Sequence, residues 1–349
     1  MSQHKRYKNR PLGIALLGLG EYAGAELAPA LQETKHCKLA AIISDEPDKM
    51  EEWRKTYGLS EKNCYTYEQF GRIRDNSSID IVYVVLPNTM HEEYVIRAAK
   101  AGKHVICEKP MATTIEDCQR MIEVCREEGV QLSMGYRLHF DPFNQEMMRL
   151  GQNKVFGAVK KIIARNSMKV GDANQWRLDR ERAGGGPLMN NGVYCVQGAQ
   201  YVLGEMPLAV TASFLPKTDP EKFDEVEEGI RWTMEFPSGA FAECETSYSK
   251  DESLLRAEAE HGWFEINPAY EYEALKGMTS EGPMQFDAIN QQAAQMDDFA
   301  LCIREGRESR VPGEMGLRDV EIMIAIYESA KSGQRIELHL EEFQSLVEK

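Results

Sequence analysis

A glycine-rich turn between an apolar run and an amphipathic stretch constrains the fold of this chain more than any other feature. Residues 12–17 are almost entirely apolar, and residues 23–33 have helical spacing. The turn between them fits the pattern Gly-x-Gly-x-x-Ala through Gly18, Gly20 and Ala23. In such a pattern the first glycine permits a tight turn, the second lets the backbone approach a pyrophosphate, and the small third residue lets helix and strand pack closely. The helix N-terminus then offers N–H groups to phosphates, so we predict a dinucleotide-binding turn; the alternative is an ordinary glycine-rich turn without a ligand.

The same alternation of apolar runs and amphipathic stretches continues to about residue 134. The predicted strands are residues 12–17, 39–44, 79–86, 105–108 and 130–134. The predicted helices are residues 23–33, 47–57, 91–101 and 114–128. Strands that alternate with helices over short connections form a doubly wound parallel sheet. We therefore predict an N-terminal α/β domain of the Rossmann type over residues 1–134.

The remainder of the chain has a different pattern. Strand-like segments at residues 209–214, 230–236 and 240–247 follow one another without intervening helices, which indicates an antiparallel sheet. Helical patterns lie at residues 188–203, 290–303 and 316–332. We predict a C-terminal α+β domain over residues 135–349, with a large, open and mainly antiparallel sheet. The acidic run at residues 224–228 is interpreted as a solvated turn or strand edge.

Composition excludes several classes of function. Lys and Arg number 41 against 56 Asp and Glu, a formal net charge of −15 that repels nucleic acid. The longest apolar run, residues 12–19, is far shorter than the roughly 20 residues of a membrane helix. Glycines interrupt this stretch and Glu21 follows it, which disfavours a secretory signal, so we expect a cytoplasmic protein without membrane contact. The eight cysteines include no Cys-x-x-Cys pair, so we expect reduced thiols and no metal site.

The end of the second predicted strand bears on the choice of dinucleotide. An acidic residue about 20 positions beyond the glycines usually binds the ribose hydroxyls of NAD, and Asp45 could do so. Ser44 and Lys49 supply a hydroxyl and a cation, which suit the 2′-phosphate of NADP. We favour NADP(H), with NAD(H) as the alternative.

Two further motifs follow later strands of the first domain. They are Pro-Asn-x-x-His at residues 87–91 and Glu-Lys-Pro at residues 108–110. Together with the glycine turn, these motifs resemble the nucleotide-binding half of the glucose–fructose oxidoreductase, inositol dehydrogenase and rhizopine catabolism (Gfo/Idh/MocA) superfamily. Other segments resemble the glucose–fructose oxidoreductase branch most closely, namely residues 135–140, 175–178, 184–189, 223–226 and 312–319.

The resemblance implies roles by position. It puts Lys109 beside the nicotinamide and the reacting carbon, and Glu108 on the adjoining ribose. It implies that Asn88 and His91 line the cofactor cleft. The cofactor-binding set that we predict is Gly18, Gly20, Tyr22, Ala23, Ser44, Lys49, Leu86, Pro87, Asn88, His91, Glu108, Lys109, Arg137, Trp176 and Arg177.

The predicted helix at residues 188–203 carries the other catalytic candidates, Asn190 and Tyr194. Side chains four residues apart project from one helical face. The superfamily usually has aspartate at the first position and histidine at the second, with tyrosine there in the glucose–fructose oxidoreductase branch. An asparagine can orient a sugar hydroxyl but cannot accept its proton. We expect Tyr194 to exchange the proton while Lys109 polarises the oxygen; the opposite assignment stays open because the two groups would titrate together.

The resemblance implies hydride transfer between a nicotinamide and a carbon of a sugar or polyol. Only about ten residues precede the first strand, whereas glucose–fructose oxidoreductase has an extended arm that retains the cofactor, so we expect an exchangeable cofactor. Two alternatives are a redox-neutral enzyme that cleaves glycosides with tightly held NAD and a non-catalytic sugar or nucleotide sensor. Relatives associate through the C-terminal sheet, and exposed apolar faces are usually interfaces, so a homodimer or homotetramer is predicted.

Overall fold

The computed structural model describes residues 10–171 and 174–346. The strands are β1 Leu12–Leu17, β2 Cys37–Ile43, β3 Cys64–Tyr65, β4 Ile81–Val84, β5 His104–Cys107, β6 Leu132–Met134, β7 Val159–Ser167, β8 Ala209–Phe214, β9 Gly229–Glu235, β10 Phe241–Ser247, β11 Glu252–Ala259, β12 Gly262–Ile266, β13 Gly277–Thr279, β14 Gly282–Pro283 and β15 Ile336–Glu337. The α-helices are α1 Ala28–Glu33, α2 Pro47–Thr56, α3 His91–Lys100, α4 Ile115–Glu127, α5 Pro142–Gln152, α6 Arg180–Ala183, α7 Val193–Leu203, α8 Gln291–Glu305 and α9 Gly313–Ser332. Two π-helical turns, Ala23–Leu27 and Leu188–Gly192, precede α1 and α7.

The chain divides into two compact units. Of the described residues, the first unit contains 10–139 together with Asn290–Gly316, and the second contains those within 140–289 and 317–346. In the described part of the chain, no helix combines the length and apolar character that crossing a bilayer requires. All eight cysteines lie in the described part of the chain; none of them forms a disulfide, and all but Cys64 are buried.

The first unit is built on a six-stranded sheet in the order β3-β2-β1-β4-β5-β6. Every neighbouring pair in it is parallel. The prediction of a doubly wound parallel sheet is thus confirmed. The strand order reverses between β1 and β4, and ligands of such sheets bind beyond the carboxyl ends of the strands at this point.

The segment Asn290–Gly316 differs from the prediction, which assigned it to the C-terminal domain. In the structure it belongs to the first unit. The reason is the apolar face of α8, where Met296, Phe299 and Ile303 follow helical spacing and join the buried cluster that contains Leu16. Because this face packs against the first sheet, the chain returns to the first unit after residues 140–289 of the second unit.

The second unit contains a nine-stranded sheet in the order β14-β13-β12-β11-β7-β10-β9-β8-β15. Its pairs are antiparallel except that of β7 with β10. The predicted large and mainly antiparallel sheet is therefore confirmed. The alternating burial along β10 puts Ala242 and Cys244 on the inner face and leaves Glu243 and Glu245 on the outer one.

The outer face of this sheet is largely charged. Lys161 lies 2.8 Å from Glu243, and Arg256 lies 2.7 Å from Glu265 across neighbouring strands. Exposed apolar side chains are scattered in the same sheet, with Phe241 as an example. The sequence prediction assumed an apolar uncovered face, whereas this face is a network of ion pairs between strands.

Candidate functional site

The glycine turn of the first unit has a conformation that other residues resist. Gly18 has φ +94°, and a Cβ there would lie 2.2 Å from the carbonyl oxygen of Val85. Its N–H donates to the carbonyl of Ile43 at 3.0 Å, which fixes the turn to the neighbouring strand. A Cβ at Gly20 would meet nothing within 4 Å. The turn is therefore closed on its strand side at Gly18 and open at Gly20, as a pyrophosphate-binding turn requires.

The helix that follows the turn does not start as the regular α-helix that the sequence predicts. Gly24 donates to the carbonyl of Gly20 at 3.1 Å, and Ala28 donates to Ala23, one residue further back than in an α-helix. Pro29 has no N–H for the next α-helical bond. Turns of this π type are frequently found at functional sites. Ala23 is fully buried, which is the close packing expected of the third motif position.

The loops after β4 and β5 lie at the same edge of the sheet as the glycine turn. Since β4 lies between β1 and β5, their carboxyl ends bring Leu86, Pro87, Asn88, Glu108 and Lys109 to one edge. The Leu86 side chain lies 3.0 Å from the position a Cβ of Gly18 would occupy. Asn88 is buried, and Lys109 is half-buried. The structure therefore places these five predicted residues at the same edge of the sheet as the glycine turn.

His91 has a different position from the one predicted. It is completely buried instead of lining a cleft. Its Nδ1 lies 2.9 Å from the carbonyl oxygen of Pro110, and its Nε2 lies 2.9 Å from that of Leu86. Burial lowers the pKa of His91, although the carbonyls act against this. The imidazole thus joins the loop after β4 to the loop after β5 and holds the backbone beside Lys109.

The carboxylate of Glu108 is held by groups that sequence patterns did not reveal. Tyr83 donates to its Oε1 at 2.8 Å, and Gln295 Nε2 donates to the Tyr83 hydroxyl at 3.0 Å. A Cβ at Gly135 would lie 2.6 Å from the same oxygen, so only glycine leaves room for the carboxylate. Burial raises the pKa of Glu108, and the neighbouring charge of Lys109 opposes the rise. Glu108 is 8% exposed, which leaves a small part of its surface for a ligand.

Arg137 is likewise fixed within the first unit. Only 3% of its surface is exposed, and its Nη1 donates to the side-chain oxygen of Gln291. Gln291 belongs to α8, in the segment that sequence reasoning assigned to the other domain. The partner of Arg137 could therefore not be found from the motif around it.

The residues after β2 are placed at the position of the adenosine ribose in a Rossmann unit. Ser44 is buried, and its Oγ accepts the N–H of Glu46 at 3.2 Å. Asp45 accepts the N–H of Tyr67 at 2.8 Å. Lys49 lies 2.7 Å from the carboxylate of Glu46 at the surface. The Asp45 carboxylate, which could bind the hydroxyls of the adenosine ribose, thus accepts a backbone N–H.

In the second unit, Trp176 and Arg177 lie on a short 3₁₀ turn. The Arg177 guanidinium lies 4.7 Å from the centroid of the Trp176 ring, a cation–π arrangement. The adjoining apolar cluster consists of Val170, Leu178, Phe223, Val226 and Tyr248. It anchors the segment that carries both residues.

Asn190 and Tyr194 lie at the start of the next helical run. Asn190 is in the π-helical turn, and Tyr194 is in the first turn of α7. Asn190 Nδ2 lies 3.8 Å from the sulfur of Met168. Tyr194 is 8% exposed, and its ring centroid lies 6.1 Å from that of Tyr270. The predicted helix is present, and its first turn is wider than an α-helical one.

The acidic run before β9 is the solvated turn that the sequence suggested only in its first part, where Asp224 and Glu225 are exposed. The carboxylate of Glu227 accepts hydrogen bonds from the backbone of Gly186 and Leu188. The next residue, Glu228, is buried and accepts from Thr218. A run of acidic side chains predicts surface residues. The donors that satisfy Glu227 and Glu228 come from other parts of the chain, so the sequence pattern does not show them.

The parallel sheet, its glycine turn and the polar residues at its strand ends define a dinucleotide-binding protein of the Rossmann class. The chain belongs to the Gfo/Idh/MocA oxidoreductase family. Residues 12–136 match the family's NAD-binding Rossmann fold. Residues 144–265 and 276–338 match two forms of its C-terminal domain.

Three relatives illustrate the range of similar proteins. The crystal structure of aldose-aldose oxidoreductase from Caulobacter crescentus is 41% identical, with a TM-score of 0.92, and the match covers 94% of this chain and 100% of that one. D-xylose 1-dehydrogenase [NADP(+)] from Haloarcula marismortui is 28% identical over 96% of both chains. The 2,7-anhydro-N-acetylneuraminate hydratase of Escherichia coli is 30% identical over 67% of this chain and 61% of its own length.

Proposed function

We propose that this protein transfers a hydride between the nicotinamide of NADP(H) and a carbon of an aldose or a related sugar or polyol. The observation that carries the proposal is the arrangement at the strand ends, where Lys109 follows the anchored Glu108 at the edge that holds the glycine turn. The relatives named aldose-aldose oxidoreductase and D-xylose 1-dehydrogenase support an aldose as substrate.

The residues present fit a bound dinucleotide. The open side of Gly20 leaves room for a pyrophosphate at the backbone, and the partly exposed carboxylate of Glu108 can accept ribose hydroxyls. Ser44 and Lys49 would hold the 2′-phosphate, while the Asp45 carboxylate accepts the N–H of Tyr67. NADP(H) is therefore favoured over NAD(H), in line with the NADP-dependent relative.

The bound nicotinamide supplies or accepts the hydride. Oxidising a hydroxyl also requires that its proton leave, and a free tyrosine (pKa about 10) or lysine (about 10.4) is a poor base near neutrality. A nearby ammonium stabilises tyrosinate, and burial beside a positive charge disfavours ammonium. We propose that Tyr194 exchanges the proton and that Lys109 polarises the sugar oxygen; the reverse assignment uses the same two residues.

Trp176, Arg177, Arg137 and Asn190 complete the proposed set. Arg137 is immobilised by Gln291 and would present a fixed guanidinium, while Arg177 is stacked on Trp176. Asn190 would orient a sugar hydroxyl through its amide, since an amide cannot take up the proton. We also propose that the protein acts in the cytoplasm and forms a homodimer or homotetramer through the nine-stranded sheet, with ion pairs on the outer face contributing to the contact.

A redox-neutral function is the second candidate. The relative named 2,7-anhydro-N-acetylneuraminate hydratase belongs by name to a class without net redox change. In such a reaction the cofactor would be reduced and reoxidised within each turnover. Aldoses would then give no net change in nicotinamide absorbance, whereas an anhydro sugar or glycoside would be converted.

The decisive experiment is purification of the protein followed by release and identification of any bound nucleotide. A panel of aldoses, polyols and glycosides is then incubated with NADP⁺ and with NAD⁺, with nicotinamide absorbance and product analysis as readouts. Aldose-dependent reduction of NADP⁺ supports the proposal. Conversion of a glycoside at constant absorbance selects the redox-neutral alternative, and absence of any conversion contradicts both.

A further inference from the structure

The carboxylate of the half-buried residue Glu227 holds the start of the helix that carries Asn190 and Tyr194. Its Oε2 accepts the N–H of Gly186 at 2.9 Å, and its Oε1 accepts the N–H of Leu188 at 3.2 Å. The first N–H groups of a helical run have no partner within the run itself and are usually capped by a residue close by in sequence. Here the cap comes from a residue 41 positions later in the chain.

Tyr327 of α9 is the third partner of the same carboxylate. Its hydroxyl donates to Glu227 Oε1 at 2.7 Å. Both side chains lie very close to the glycine run before the helix. A Cβ at Gly185 would lie 2.2 Å from the Tyr327 hydroxyl, and a Cβ at Gly186 would lie 2.5 Å from the backbone oxygen of Glu227. The two glycines therefore provide the space in which Glu227 and Tyr327 reach the backbone.

The chemistry of these contacts requires a carboxylate. Two backbone N–H groups and one phenolic O–H all donate to it, and an ionised carboxylate only accepts. A glutamine at this position would place an NH₂ group against one of these donors. Burial raises the pKa of Glu227, and the hydrogen bonds from Tyr327 and the backbone oppose the rise. The hydrogen bonds thus offset part of the effect that burial has on this carboxyl group.

We propose that Glu227 and Tyr327 are positioning residues, which set the backbone at Gly186 and Leu188 and thereby the positions of the Asn190 and Tyr194 side chains at the substrate. This inference rests on the proposed function, in which Tyr194 exchanges the proton of the sugar. Since small displacements of a reacting group can cost about 100-fold in rate, the contact acts on turnover more than on cofactor binding.

Glu228 offers a matched control. It is the next residue, 4% exposed, and its carboxylate also accepts several hydrogen bonds. Its donors are Thr218, Asp219 and Ser249, and none of these lies on the helical run with Tyr194. A Glu228→Gln variant therefore loses buried hydrogen bonds of similar kind without altering the cap of that helix.

The experiment compares Glu227→Gln, Tyr327→Phe, the double variant and Glu228→Gln in the full chain. The readouts are kcat and KM for an aldose, the dissociation constant of NADPH by fluorescence, and the thermal midpoint. Glu227→Gln is expected to lower kcat by about 10- to 100-fold with unchanged NADPH affinity. Tyr327→Phe should have a smaller effect, and the double variant should be no slower than Glu227→Gln because both act through one contact. Glu228→Gln should lower the thermal midpoint and keep kcat within about twofold of the parent.

The proposal is overturned if Glu227→Gln keeps kcat within twofold, or if Glu228→Gln loses as much activity for the same loss of thermal stability. Hydrogen exchange followed by mass spectrometry gives a readout without turnover. Backbone amides over residues 186–194 should exchange faster in Glu227→Gln and not in Glu228→Gln. A parent protein that converts no aldose contradicts the proposed function alone, and the exchange data then still decide whether Glu227 fixes this segment.

Discussion

The hydroxyl of Tyr83 donates a hydrogen bond of 2.8 Å to Oε1 of Glu108, and Gln295 donates to the same hydroxyl. Tyr83 is fully buried within β4, whereas Glu108 follows the neighbouring strand β5 at the edge that carries the glycine turn. The contact fixes the carboxylate that we propose to bind the nicotinamide-side ribose. A buried residue of the sheet thereby fixes a side chain of the proposed cofactor site.

Replacing Tyr83 by Phe should weaken both stability and cofactor binding. The change removes the donor to Glu108 and leaves the Gln295 amide without its acceptor, at a cost of about 1–3 kcal/mol. The thermal midpoint and the NADPH dissociation constant measure the two effects. Tyr65→Phe is the matched control, because its hydroxyl accepts from Asn76 Nδ2; it should lower the thermal midpoint only. An unchanged NADPH affinity in Tyr83→Phe would show that the Glu108 carboxylate does not need this donor.

Cofactor affinity should fall as the pH is lowered through the raised pKa of Glu108. Burial places that pKa above 4.5, and the protonated carboxyl loses an acceptor for ribose hydroxyls. The raised pKa of Glu108 also affects the free energy of unfolding, with a pH dependence opposite to that of cofactor affinity. Because the folded state holds the proton more tightly than the unfolded chain, this group stabilises the fold at low pH, and the contribution is lost as the pH rises through the folded-state pKa. Protonation of Glu108 favours the folded state, so it does not unfold the protein. A decrease in NADPH affinity towards acid pH is therefore not explained by unfolding that protonation of Glu108 causes.

NADPH titrations across the pH range test this expectation. Glu108→Gln should bind NADPH more weakly and with a flatter pH dependence than the parent. A parent and a variant with identical profiles would exclude Glu108 as the titrating group.

Removing the phenolic hydroxyl of Tyr194 should lower kcat by about 10²- to 10⁴-fold if the residue exchanges the proton. Phe keeps the ring that lies 6.1 Å from Tyr270, so the helix should remain in place. The dissociation constant of NADPH and the thermal midpoint should change little. A rate close to that of the parent would remove Tyr194 from the mechanism.

Replacing Asn190 by Asp restores the residue usual in the family and should change the pH optimum or the sugar preference. A carboxylate there could accept a proton where the amide cannot. Steady-state kinetics with several aldoses across the pH range provide the measurement. If both properties stay unchanged, the position has a structural role only.

Local sequence patterns predicted much of the fold and part of the site. The glycine turn and the first strand were identified because Gly18 and the run Leu12–Leu17 are adjacent in the chain. A buried strand and the turn that follows it are encoded within about ten residues, which is why such signals can be interpreted without the tertiary structure. The motif identified His91 but did not predict its role of joining two loops. That role depends on carbonyl oxygens that face both ring nitrogens, and the motif does not show them.

The sequence by itself determined the class of each sheet, the glycine turn and the position of Lys109 and Tyr194 in their motifs, because alternation of apolar residues and turn chemistry act between near neighbours. Only the tertiary structure decided that Gln295 holds Tyr83 across 212 positions and that Glu227 caps Gly186. It also decided that α8 returns to the first unit. The physical reason is that a buried polar group or apolar face is satisfied by whatever the folded chain brings within contact distance, and periodicity along the sequence carries no record of that partner.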